Sequence, residues 1–440
     1  MKNNLYYLII FLFLLNCSSK KNELLIDINA FKNQGTEIFL EKKQQDLTKE
    51  VNNINKFSNY KSFSLQNWLH PNFQNSNFIP HTQYSGSLNI KKKNKYFSLV
   101  KKNIYEKNII VFDSKIYYVD DLSNIYILDY NLRLINKFTI YNKKYFQDYL
   151  LRFSLTSDGK NLYISDNLGN VHAYNPKLNK IIWTNKLGVP FVSNLVLYKN
   201  NLYVVNDNGK IYSFDSETGN QNWSYESATN IIKNNNSFQI VADFDKVIFS
   251  NDLGDLYCID LVQKNLIWSL NIENNSNLTN NNLLELSKII LKDDDIFFST
   301  NQNKIFYIDA KTGKINWVMD LPSESTITSL VVNKHIINIT KNGFFSIINK
   351  SDGAILYRVD ILSKFSNLKK NEQEFFFKYS FIASNYIYFV TTNGFFFKVN
   401  SNDLDDIKYI KTSKNISSFP ITISKNIYFL DRDGVINKFN

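Results

Sequence analysis

One turn recurs eight times in this sequence, and the residues around it keep step. The stretch from Asn201 to Trp223, NLYVVNDNGKIYSFDSETGNQNW, holds a complete unit: an apolar run, a polar turn ending in Gly209, a second apolar run closing on Asp215, and Trp223. With Gly209 as origin, the turn position recurs at Ser123, Gly169, Gly254, Asn303, Gly343, Gly394 and Gly434, at spacings of 40 to 51 residues. The residue two past the origin is always apolar, from Ile125 to Ile436, and the sixth is always Asp or Asn, from Asp129 to Asn440. Fourteen past the origin stand Trp183, Trp223, Trp268 and Trp317, then Tyr357, with Lys137 and Lys408 where the pattern frays.

Each position has a physical reason. Gly or Asn at the origin supplies the positive φ of a tight hairpin, and Asp or Asn at the sixth opens the next turn by bonding its own backbone. Apolar residues at nearly every strand position mean small sheets covered on both faces. A period near 44 residues with about four strands predicts an all-β fold: an eight-bladed β-propeller of four-stranded antiparallel blades, each burying its faces against its neighbours.

One repeat array accounts for most of the 440 residues, so residues 64–440 read as one domain. The net charge of +11 accompanies a chain swamped with Lys, Asn, Ile, Phe and Tyr, a bias that suits AT-rich coding DNA. Runs such as Lys91-Lys92-Lys93 lack interleaved aromatic residues, so they read as solvated surface and not as a nucleic-acid track.

At the amino terminus, Met1-Lys2 precedes an apolar run from Leu5 to Leu15 and then Asn16-Cys17-Ser18-Ser19. That run is too short to span a bilayer, so residues 1–16 read as an export signal. Residues 17–63 read as a polar tether, with one short helix near Glu41 to Val51. The second cysteine, Cys258, lies in a strand between Tyr257 and Ile259, where it reads as a core residue.

The eighth unit stops at its sixth position, Asn440, without a final strand or Trp. Ser64 to Leu69, carrying Trp68, is expected to complete that blade, so that an N-terminal strand closes the ring and leaves no free edge. Four connections exceed what a turn needs: Tyr141 to Arg152, Glu226 to Phe238, Asn271 to Ser287 and Ser363 to Lys378. In an up-and-down blade all four emerge on the face that carries the Gly turns, and loops of this length are often functional. Ile231, Ile232 and Lys233 place two branched apolar side chains in such a loop and are the partner-contact candidates.

No catalytic constellation emerges. His70, His81, His172 and His335 are dispersed, without metal-ligand spacing, and no cofactor or metal site is expected. Asp293-Asp294-Asp295 lacks the alternating oxygen ligands of a calcium loop.

The units, with their G-x-[apolar]-[aromatic]-x-[apolar]-[Asp/Asn] core and a Trp eight residues on, resemble the repeats of pyrroloquinoline-quinone-type propellers. Asn16-Cys17 resembles a lipobox, with Asn16 where a small residue is usual. Together with the segment holding Asn67, Trp68, Asn72, Asn75 and His81, residues 66–440 are similar to the BamB family. That resemblance implies Cys17 lipidation, placement on the periplasmic face of the outer membrane, and a non-enzymatic role in barrel-protein assembly. Its implied partners are a BamA-like barrel protein, other assembly subunits and nascent outer-membrane proteins. Two alternatives share the repeat: a periplasmic ligand- or glycan-binding propeller, and a quinone-dependent dehydrogenase, which would need calcium-binding carboxylates and typically an adjacent cysteine pair.

Overall fold

In a computed structural model the chain is described over residues 46–54, 61–86, 88–96, 105–141, 150–228, 238–272, 284–365, 368, 375–412 and 415–439. It divides into Met1–Asp46 and Leu47–Asn440, and all that follows concerns the second unit. Each of the first seven repeats makes a blade of four antiparallel strands, as in Val196–Tyr198, Asn201–Val205, Lys210–Asp215 and Gln221–Glu226. Blades one to seven cover residues 110–139, 153–186, 196–226, 240–271, 290–320, 330–360 and 377–411, and the eighth begins at 421, giving an eight-bladed propeller among the described residues.

The repeat positions do distinct jobs. All eight origin residues hold positive φ, from 59° at Asn303 to 98° at Gly343, which is why Gly dominates there. At the sixth position the Asp215 carboxylate accepts the N–H groups of Glu217 and Thr218, and Asp309 does the same for Lys311 and Thr312. In blades two to six the outer strand skips one residue in its pairing just before the Trp or Tyr position, at Ile182, Asn222, Ile267, Asn316 and Leu356. Such a bulge turns the strand at the perimeter, where a flat edge would invite pairing with another chain.

The core lies between blades. Tyr163, Val171 and Ala173 of blade two pack with Leu197, Leu202 and Val204 of blade three, and the same layering continues through blades four, five and six. The largest cluster joins blades six, seven, eight and one with the segment holding Trp68 and Tyr84.

The ring closes elsewhere than on Ser64 to Leu69. The strand Ile90–Lys95 pairs antiparallel with Val435–Phe439, Lys95 opposite Val435 and Asn94 opposite Ile436, and completes the eighth blade. An outermost strand borders solvent, so the lysine-rich IKKKNK suits it, whereas Trp68, 1% exposed, needs a fully enclosed site. Trp68 instead bridges Val111 on the innermost strand of blade one, at 2.7 and 2.8 Å, and its indole lies against Phe73 and Phe419.

The amino-terminal side also departs from a plain tether. Val51–Asn52 pairs with Tyr357 and Arg358 on the outer strand of blade six, where the Arg358 guanidinium donates to the Leu47 carbonyl at 2.7 Å. Val51 is therefore strand and not helix; residues 1–45, including Cys17, lie outside the described residues.

Candidate functional site

The segment from residue 61 to residue 86 forms a strap along the inner edges of the blades. Its backbone exchanges hydrogen bonds with Val111 of blade one, Ser157 of blade two, Ala242 of blade four, Leu291 of blade five and Ile382 of blade seven. Ser384 and Ser424, just past the inner strands of blades seven and eight, donate to Thr82 and Leu65. Asn77 adds a side-chain bond to the Ile289 carbonyl at 2.9 Å. Several of these contacts fall at or near the carboxyl ends of short inner strands, so the strap stands across the face opposite the Gly turns. Beside it is a cleft of about 490 Å³ lined by Ser64, Gln66, Asn67, His70, Gln74 and Asp243, among others.

The Gly-turn face carries the inter-blade crossings, because each outer strand runs back to the end where its neighbour begins, as Lys210 opposite Glu226 shows. The crossings at 142–149, 229–237 and 273–283 lie outside the described residues, and with them Ile231, Ile232 and Lys233. What is described is how one crossing is pinned. The Tyr141 hydroxyl donates to the Asp166 carboxylate and accepts from Asn170 at 2.8 Å, while His172 Nε2 stands 2.8 Å away. His172 Nδ1 meets Thr184 Oγ1 at 2.9 Å. Burial and the Asp166 charge push the Tyr141 phenol well above its ordinary range, so it remains a donor. The opposite face is not bare: Leu178 and Val262 in its turns, and Phe244, are exposed apolar residues.

The remaining histidines and Cys258 serve separate local structures. His70 meets Thr156 Oγ1 at 2.7 Å, and burial lowers its pKa to about 4. His81 bonds the Ser384 carbonyl, and burial lowers its pKa too. Burial likewise lowers His335, aided by Lys334. Cys258 is fully buried and its thiol is pushed up to about 12, chiefly by burial, which leaves no thiolate for nucleophilic work. Among the described residues no group of three His, Cys, Asp or Glu side chains could hold a metal ion.

Two elements escape a reading built on the turn alone. Three residues before each origin stands Asp120, Asp166, Asn206, Asn251, Thr300, Thr340, Thr391 or Asp431, all buried. Most of these cap the Gly turn: Asp166 accepts the N–H groups of Leu168 and Asn170, and Asn206 those of Asn208 and Lys210. That regular Asp/Asn/Thr column was available as a sequence signal. The strap belongs to no repeat, and Asn67, Trp68, Asn72, Asn75 and His81 marked only a family resemblance and not a course across the blades.

The repeats tie this chain to known proteins. A family described as outer membrane protein assembly factor BamB matches residues 151–359, the part of the chain that spans blades two to six. An uncharacterized protein of Rickettsia conorii is 20% identical over 382 residues, covering 72% of this chain and 89% of the relative. The crystal structure of BamB from Moraxella catarrhalis superposes with a TM-score of 0.63 at 13% identity, over 80% of this chain and all of that one. Quinohemoprotein alcohol dehydrogenase from Comamonas testosteroni gives 0.59 at 9% identity, over 85% of this chain and 80% of that one. At such identities the superpositions show a shared fold.

Proposed function

We propose that this BamB-like protein is a non-enzymatic lipoprotein scaffold of outer-membrane barrel assembly, anchored through Cys17 on the periplasmic face. Its Gly-turn face would dock on the periplasmic domains of a BamA-like barrel protein and so assist insertion of nascent barrel proteins. The match of residues 151–359 to the BamB family carries this reading. The geometry supports it: the histidines and Cys258 are spent on separate local contacts, and the backbone of the strap is hydrogen-bonded at or next to the inner strands of six blades. A ring cross-tied in this way, with its crossings gathered on one face, suits docking, because loops held by a scaffold carry recognition. Ile231, Ile232 and Lys233 remain the proposed contact residues in the third-to-fourth crossing.

The test is affinity capture of the detergent-extracted protein from its native host, with co-purifying proteins identified by mass spectrometry. Recovery of an outer-membrane barrel protein with periplasmic repeat domains supports the scaffold. Recovery of no such partner, with a glycan or small ligand bound instead, favours a binding propeller of another kind.

A further inference from the structure

Around the ring axis, above the strap, basic side chains from four blades gather near one carboxylate. Lys288, at the entry to blade five, sets its ammonium 3.1 Å from Glu106 and 2.9 Å from Asn72 Oδ1 of the strap. Lys378 on the inner strand of blade seven lies within electrostatic reach of Glu106, Lys288 and Arg432. Arg152, entering blade two, stacks its guanidinium 5.6 Å from the Tyr105 ring centre and also feels Glu106. Arg432, in the Gly434 turn of blade eight, is exposed at the mouth. Of the charged groups that bear on Lys378, two are cationic, Arg432 and Lys288, and one is anionic, Glu106.

Arg152, Lys288 and Lys378 are half-buried, walled by protein yet touched by water. Desolvation holds the Lys378 ammonium and the Arg152 guanidinium below their usual ranges. For Lys378, Arg432 and Lys288 push the same way and only Glu106 opposes them. Two cations to one carboxylate around a half-buried ammonium favour an anion there.

A second observation points into the same place. Tyr379, 4% exposed and next to Lys378, has a buried hydroxyl with no hydrogen-bond partner among the described residues, and Glu106 and Arg432 are its charged neighbours. Its ring is held by Phe419, centroids 5.6 Å apart, so the hydroxyl is presented from a fixed base. Buried hydroxyls are nearly always satisfied, and one left over beside a group of cations is a donor waiting for an acceptor.

We propose that the axial mouth of the ring is a binding site for a compact multivalent anion, phosphate or polycarboxylate. Lys288, Lys378 and Arg432 neutralise it, Tyr379 donates to it, and Asn72, which holds the Lys288 ammonium, lines it. The site depends on the strap, since Asn72 positions Lys288. It goes beyond the scaffold reading and stands independently of it.

Isothermal titration of the purified full-length chain with pyrophosphate and, separately, with citrate tests this, against potassium chloride at matched ionic strength. Saturable binding of either anion, absent with chloride, is expected. Lys378→Met and Lys288→Met should each weaken it about tenfold or more, as the loss of a charge-assisted contact does. Tyr379→Phe should weaken it about three- to tenfold, the loss of one hydrogen bond, while leaving the melting temperature unchanged, because the hydroxyl has no partner to lose. Binding of pyrophosphate alone assigns a phosphate ligand, and of citrate alone a carboxylate. No saturable heat with either anion overturns the proposal, as does binding that chloride matches or that Tyr379→Phe leaves untouched. Tyr379→Phe decides the matter even if a lysine variant fails to fold.

Discussion

Gly313 of blade five packs its Cα against the indole of Trp268 in blade four, and that indole donates Nε1–H to the Ala310 carbonyl of the same turn at 2.9 Å. Trp183 repeats the contact with Gly219 and Ser216, and Trp317 with Gly353 and Lys350. In blade six the Tyr357 hydroxyl makes the equivalent reach, donating to the Leu404 carbonyl at 3.2 Å. The recurrent Trp is thus a clamp from one blade onto the next blade's outer turn.

The clamp gives a controlled comparison. Gly313 and Gly188 share a φ of +71°, but a Cβ on Gly313 would stand 2.7 Å from Trp268 Cδ2, while one on Gly188 meets nothing within 4 Å. Gly188→Ala should cost about 1 kcal/mol, the backbone penalty alone. Gly313→Ala should cost that plus about 1–3 kcal/mol for displacing the indole. Urea denaturation of both variants reads the difference, and equal losses would remove the clamp as a source of stability.

The seam between Ile90–Lys95 and Val435–Phe439 should be sensitive to proline. Backbone N–H groups alternate in direction along a strand, so of Lys93→Pro and Asn94→Pro one removes a ladder bond, at a cost of about 3 kcal/mol. Thermal melting with limited proteolysis of the eighth blade checks this. If neither proline lowers the melting temperature, the ring is not held by this strand.

His70 sets a pH dependence. Its folded pKa, about 4, lies below the ordinary 6.5, so the unfolded chain takes up the proton first as pH falls. The contribution is fully present above pH 6.5, declines as pH drops, and is gone below about 4. Since the ring keeps some contact with water, the loss should be about 1–2 kcal/mol, less than the shift alone implies. Asp120 and Asp431, raised chiefly by burial, work in the opposite direction, so the informative quantity is the difference between wild type and His70→Gln. A difference that stays flat from pH 7 to pH 4 would contradict the assignment.

The two cysteines separate anchoring from folding. Cys17→Ala should leave a folded chain that no longer fractionates with membranes. In that variant Cys258 is the sole thiol, and it should resist iodoacetamide until the ring unfolds. Rapid native labelling would show that blade four opens on its own, and loss of folding in Cys17→Ala would contradict the tether.

The parts legible in the sequence were those that local chemistry fixes. A positive φ at Gly209 and a self-capping Asp215 each leave a mark at one position that eight repeats multiply, and the interblade Trp leaves one in four of them. The closing strand left none. Ile90–Lys95 has a single apolar residue because an outer strand packs little, and nothing in IKKKNK distinguishes it from solvated loop. Trp68 misled for the complementary reason: an apolar side chain that could fill a clamp can also fill an axis, and only the three-dimensional arrangement of Val111, Phe73 and Phe419 decides between them. The axial cations were equally hidden, since Arg152, Lys288, Lys378 and Arg432 sit in four different blades and share no motif.

The position of the seam also sets a timetable. The ribosome makes residue 95 long before residue 435, its partner across the closing pair. Until then the outer strand of the eighth blade, made early, has no partner, and the strap has no complete set of inner strands to grip. Bringing together such distant segments costs loop entropy before any contact repays it, which slows folding. The newborn chain therefore spends its youth as an open arc with sticky ends, and the moment it becomes a ring is set by the arrival of Val435–Phe439.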